Sequence, residues 1–116
     1  ALDLSVTLEQ VAELPEAITF SSSSAVTTGA SAPMKIPSDA HGWQLTFELG
    51  GAGTSTSTYE IYVDGIASGR TISVFAGLTT NETAIDLNLI AGQTVTAECI
   101  AAGTDATAPT VMMWLE

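Results

Sequence analysis

Along most of the chain, apolar and polar residues alternate one for one. Leu2, Leu4, Val6 and Leu8 are separated by Asp3, Ser5 and Thr7, and Trp43, Leu45, Phe47 and Leu49 by Gln44, Thr46 and Glu48. Tyr59, Ile61 and Val63 face away from Glu60, Tyr62 and Asp64. The alternation resumes in Ile72, Val74, Ala76 and Leu78, in Ile85, Leu87 and Leu89, in Val95, Ala97 and Cys99, and in Val111, Met113 and Leu115. A period of two places the apolar set on one side of an extended backbone, so each run predicts a strand with one buried face. Shorter runs at 17–20 and 25–27 add one or two, for about eight strands. Only residues 9–16 offer a turn or two of helix, and Pro15 interrupts them.

Turn chemistry separates the runs. Asp64-Gly65 supplies the positive φ of a tight hairpin. Ala91-Gly92-Gln93 and Ala102-Gly103-Thr104 divide later strands, and the glycines at 50, 51 and 53 open a flexible stretch reaching Thr58. Seventeen threonines suit a pleated surface through their stiff β-branched side chains. Many short strands with Gly-rich turns and almost no helix predict an all-β, antiparallel two-sheet sandwich, jelly-roll-like in style. An immunoglobulin-like sandwich is the competitor, and it lacks here the Cys…Trp…Cys spacing of that family. At 116 residues the chain is expected to be one domain, 1–116.

Charge narrows the range of partners. Thirteen Asp and Glu stand against Lys35 and Arg70, a net charge of −11. Two cations cannot displace the counterions of a phosphate backbone, so nucleic acid is not an expected partner. Anionic membrane surfaces are disfavoured for the same reason, and no run of about 20 apolar residues predicts a span. The acid surface favours solubility and a complementary, more basic protein surface. Nothing at the start has the basic-then-apolar form of a signal peptide.

Chemistry is sparse. His41 is the sole histidine, read as a loop residue in a polar approach to a strand, and no Gly-x-Ser-x-Gly elbow offers it a nucleophile. No catalytic residue is expected, and the chain is read as not an enzyme. One Cys and one His cannot build a zinc site, and Asp64-Gly65 lacks the alternating acids of a calcium loop, so neither metal nor cofactor is expected. Asp86 and Asn88 share a face, read as polar and solvated. Asn81-Glu82-Thr83 matches a glycosylation sequon and is read as a polar turn. The 50–53 segment has neither the Lys nor the helix of a phosphate-binding loop. Cys99 continues an inward alternation and is expected to be a buried, inert thiol.

Two features point to binding. Tyr62, flanked by carboxylates, and Trp43 are candidate contacts for a ligand or partner. The closing run Val111-Met112-Met113-Trp114-Leu115 is apolar on both faces, although a sandwich strand needs only one. Met112 and Trp114 are therefore expected at an interface, with Leu2 and Leu4 of the opening run, which can form an edge strand.

The second half of the chain, 59–116, resembles small jelly-roll proteins of tailed-bacteriophage virions. The resemblance rests on Tyr59-Glu60-Ile61-Tyr62-Val63-Asp64-Gly65, on Leu87-Asn88-Leu89-Ile90-Ala91-Gly92-Gln93-Thr94-Val95-Thr96, and on the closing apolar run. Gln93 stands where that family commonly has Asp, which puts a ligand role for the position in doubt. The resemblance implies a structural virion protein on the particle surface, a capsid decoration or cement subunit that binds the major capsid protein or another virion protein. It also implies self-association, with a trimer favoured. The alternative is a carbohydrate- or receptor-binding module of a tail tip or fibre, with Tyr62 or Trp43 as the stacking platform.

Overall fold

The computed structural model describes residues 16–116, so the run Leu2–Leu8 lies outside the described residues, as does most of the 9–16 segment. Nine strands follow: β1 (Ala17–Ser21), β2 (Gly29–Ala30), β3 (Met34–Lys35), β4 (Ala40–Gly51), β5 (Ser57–Val63), β6 (Ile66–Val74), β7 (Thr80–Leu89), β8 (Thr94–Ala101) and β9 (Thr107–Leu115). The first sheet has the order β1-β9-β4-β7. The second has the order β2-β8-β5-β6, with β3 also paired to β8, and every pairing is antiparallel. The fold is the all-β, two-sheet jelly-roll sandwich that the alternation predicts.

Most of the inward positions are those the period of two selects. Leu45, Phe47, Ile61, Ile72, Val74, Val95, Ala97, Cys99, Val111 and Met113 are all buried. Phe47 of β4 meets Tyr59 of β5 edge-on, with centroids 5.0 Å apart, so one aromatic contact joins the two sheets at mid-core. The hairpin at Asp64-Gly65 forms as its sequence demands, with φ of 52° and 79°.

Four local expectations need correction. The run from Ile72 leaves the sheet at Val74. Gly77, at φ 79°, closes a tight turn in which Leu78 N–H donates to Phe75 C=O, so Leu78 faces solvent instead of the core. β6 begins at Ile66, earlier than its apolar alternation shows, because hairpin pairing to β5 holds polar residues in the strand. Ala25 makes one isolated bridge to Thr107 instead of a strand, while the short β2 and β3 are held by β8 with no pattern of their own. Asn81-Glu82-Thr83 lies within β7, paired to β4, and is no turn.

Two polar groups tie the frame. Ser57, fully buried, accepts a hydrogen bond from the Gly103 N–H at 2.8 Å and joins the β4–β5 and β8–β9 connections. A side chain at Gly103 would collide with that hydroxyl at 2.5 Å, so the approach requires glycine. His41, expected in a loop, stands in β4. Its Nε2 lies 2.6 Å from Asp86 Oδ1 of β7, and its Nδ1 lies 3.4 Å from Glu116 Oε2 beyond β9. The hydrogen bond to Asp86 raises its pKa above 6.5; partial desolvation opposes this, and Glu116 adds to the rise.

Ser57→Ala leaves the Gly103 N–H buried without an acceptor and should cost about 1–3 kcal/mol in denaturant unfolding. An unchanged midpoint would show that the bond contributes nothing. For His41 the sign follows from the raised pKa. Its stabilisation is fully present below 6.5 and is lost as pH rises through the folded value. The stability advantage of wild type over His41→Gln should therefore be larger at about pH 5 than at about pH 8.

Candidate functional site

The outer face of the first sheet can be read off the register. Ala17, Trp114, Gln44 and Ala84 lie in one row across β1, β9, β4 and β7; Thr19, Met112, Thr46 and Glu82 lie in the next; Ser21, Thr110, Glu48 and Thr80 form a third. Met112 and Trp114 thus point away from the core, as the doubly apolar β9 run requires, and both are half-buried.

Trp43 joins them for a reason the alternation hides. Between Gly42 and Gln44 the register of β4 slips against both β7 and β9, a β-bulge. Gly42 takes the inward position, and Trp43, expected in phase with Leu45 and Phe47, turns outward and is 40% exposed. Its ring packs against Trp114, with centroids 6.4 Å apart and planes tilted by 48°. The Trp114 Nε1–H is buried and meets no acceptor among the described residues.

Carboxylates rim this aromatic pair. Glu82 accepts a hydrogen bond from Gln44 at 3.1 Å; Asp86 and Glu116 flank His41 and are largely exposed; Glu48 stands in the third row. The two cations lie in the second sheet. Lys35 is on β3. Arg70 of β6 reaches the side of β7, where its guanidinium donates to the carbonyls of Asp86 and Ser68.

Tyr62 is on the opposite side of the molecule, on the outer face of the second sheet, opposite Thr96. Its phenol is pushed up first by partial desolvation, then by Glu98 and Glu60. The two candidate contacts therefore do not share a site. Gln93 has a structural task, since its side-chain oxygen accepts the Ile90 N–H and closes the β7–β8 turn.

Cys99 is buried, and burial pushes its thiol up and away from reactivity. Burial likewise pushes Tyr59 to about 12. No group of three His, Cys, Asp or Glu among the described residues is placed to hold a metal ion. A cleft of about 400 Å³ opens beside β1 and β2, lined by Phe20, Met34, Tyr59 and Val111 among others, and its lining carries no charged side chain.

No family model and no curated protein sequence matches this chain. Solved structures do resemble it. A chain of the acidic stable capsid structure of Helicobacter pylori bacteriophage KHP30 matches with a TM-score of 0.56 and 16% identity, over 89% of this chain and 88% of that one. The Podospora anserina GH26-CBM35 β-(1,4)-mannanase matches with a TM-score of 0.52 and 10% identity, over 87% of this chain and 28% of its own. The carbohydrate-binding module CBM36, in complex with calcium and xylotriose, matches with a TM-score of 0.50 and 10% identity, over 91% and 94%. At these identities the likeness is one of fold: this chain has a jelly roll shared by a phage capsid chain and by carbohydrate-binding modules.

Proposed function

We propose that the chain is a structural virion protein, a capsid decoration or cement subunit that seats on the particle through the outer face of its first sheet. The observation that carries this reading is Trp43 beside Trp114 and Met112 on a sheet face that a free-standing sandwich has no need to make apolar. Aromatic anchors of this kind sit at the energetic centre of protein interfaces. The likeness to a phage capsid chain, near full length in both proteins, supports the same reading. Self-association, as a trimer, belongs to it, with Leu2 and Leu4 as candidate contacts outside the described residues.

A second reading, a carbohydrate- or receptor-binding module, is favoured by one observation. Trp43 offers an exposed ring on a sheet face, where a sugar can stack. The tilt of 48° between the two tryptophans denies a sugar one continuous platform, which places this reading second.

Gradient-purified particles of the virus that encodes the chain should contain it at a fixed ratio to the major capsid protein. Added to particles lacking it, wild type should bind, and Trp43→Ser should bind more weakly by about 2 kcal/mol, or about 30-fold, while remaining folded. Absence from the particles would overturn the proposal. Clear, Trp43-dependent binding on a glycan array would favour the second reading.

A further inference from the structure

We infer that the aromatic face of the first sheet docks a basic protein surface, one with an apolar knob flanked by Lys or Arg, and that it is not the contact between copies of this chain. The inference rests on the proposed docking role and adds the chemistry of the partner.

Charge decides between the two occupants. The apolar centre at Trp43, Trp114 and Met112 would accept an apolar group of either. Around it, Glu82, Asp86, Glu116 and Glu48 all project from the same outer face. A second copy offering this face would bring the same carboxylates together as the rim loses water, and like charges across an interface suppress association. Any other face of a second copy has only Lys35 and Arg70 to offer in a chain of net charge −11. Arg70 has its guanidinium donors on the carbonyls of Asp86 and Ser68 of its own subunit. A partner rich in Lys or Arg meets no such penalty, and its approach is steered by the field of this face. Among the described residues His41 is the one group on the face able to gain positive charge, and it is already engaged by Asp86 and Glu116.

The molecule carries its own reporter. Its two tryptophans are Trp43 and Trp114, so tryptophan emission, excited to the red of tyrosine absorption, reads this patch. The probe is a capped hexapeptide, Lys-Lys-Leu-Leu-Lys-Lys, titrated into the full chain, with a Glu-Glu-Leu-Leu-Glu-Glu peptide as its opposite. The basic peptide should change the emission, the acidic one should not, and affinity should fall as salt shortens the Debye length below about 10 Å. Glu82→Gln with Glu116→Gln should weaken binding by about two- to fivefold for each carboxylate. Glu60→Gln with Glu98→Gln removes the same charge from the opposite sheet and should leave affinity nearly unchanged. Equal weakening by both pairs would mean unspecific attraction to an acid protein and would overturn the inference. Unchanged emission with the basic peptide would do the same. Sedimentation is the other arm: if the chain self-associates and Trp43→Ser abolishes that association, the face belongs to a second copy and the inference fails. If the chain proves absent from virions yet binds the basic peptide as described, the docking chemistry stands and only the virion assignment falls.

Discussion

β9 is hydrogen-bonded on both sides, to β1 and to β4, and the first sheet depends on that double pairing. An interior strand has no freedom to rotate its side chains toward or away from the core. Once Val111, Met113 and Leu115 are committed inward, Met112 and Trp114 are committed outward, since neighbouring residues on a pleated strand point to opposite faces. A slip of one residue would turn Val111, Met113 and Leu115 out to solvent and force the larger Trp114 indole into the place Met113 vacates. The apolar outer face is therefore fixed by the same hydrogen bonds that fix the core.

The bulge in β4 acts on this arrangement from the neighbouring strand. Without it Trp43 would point inward beside Leu45, near the end of the sandwich where Leu87, Leu89 and Leu115 already pack. The slip gives that inward place to Gly42, where even a Cβ would come within 2.9 Å of Met113 Sδ, and sends the indole to the surface. One irregular residue thus changes a core position into a surface position, since a bulge re-aims the side chain it carries.

The strength of each signal in the sequence follows from how local its cause is. Alternation within β4, β8 and β9 and the Asp64-Gly65 turn depend on neighbouring residues, and these were legible. The early half of β6, β2 and β3 exist because distant strands pair with them, and their own residues carry no apolar period. The Ala76–Leu78 extension failed because a period of two continues through a glycine turn in the sequence while the backbone does not. On the outer face, the outward places of Met112 and Trp114 were legible from a run apolar on both faces. Trp43 was named as a contact, yet its alternation assigned it to the core, and nothing local marks a bulge except the glycine before it. His41 was read as a loop residue, because its two carboxylate neighbours lie 45 and 75 residues away in sequence.

The remainder of the outer face bears on what docking there would cost. Thr19, Thr46, Thr80 and Thr110 occupy the rows beside and below the aromatic pair. β-branched side chains held in strands have few rotamers left to lose. Ordering a flexible side chain at an interface costs about 0.5–1.5 kcal/mol, and a surface of threonines largely avoids that penalty while keeping hydroxyls for hydrogen bonds. The backbone beneath is itself paired on both sides along β9 and β4, so it has little conformational freedom left to surrender. A stiff, hydroxyl-rich sheet face with one aromatic pair at one end would lose little freedom on being covered. The large loss on binding there would then fall on the carboxylate rim, which would have to exchange water for the donors or positive charge of whatever covers it.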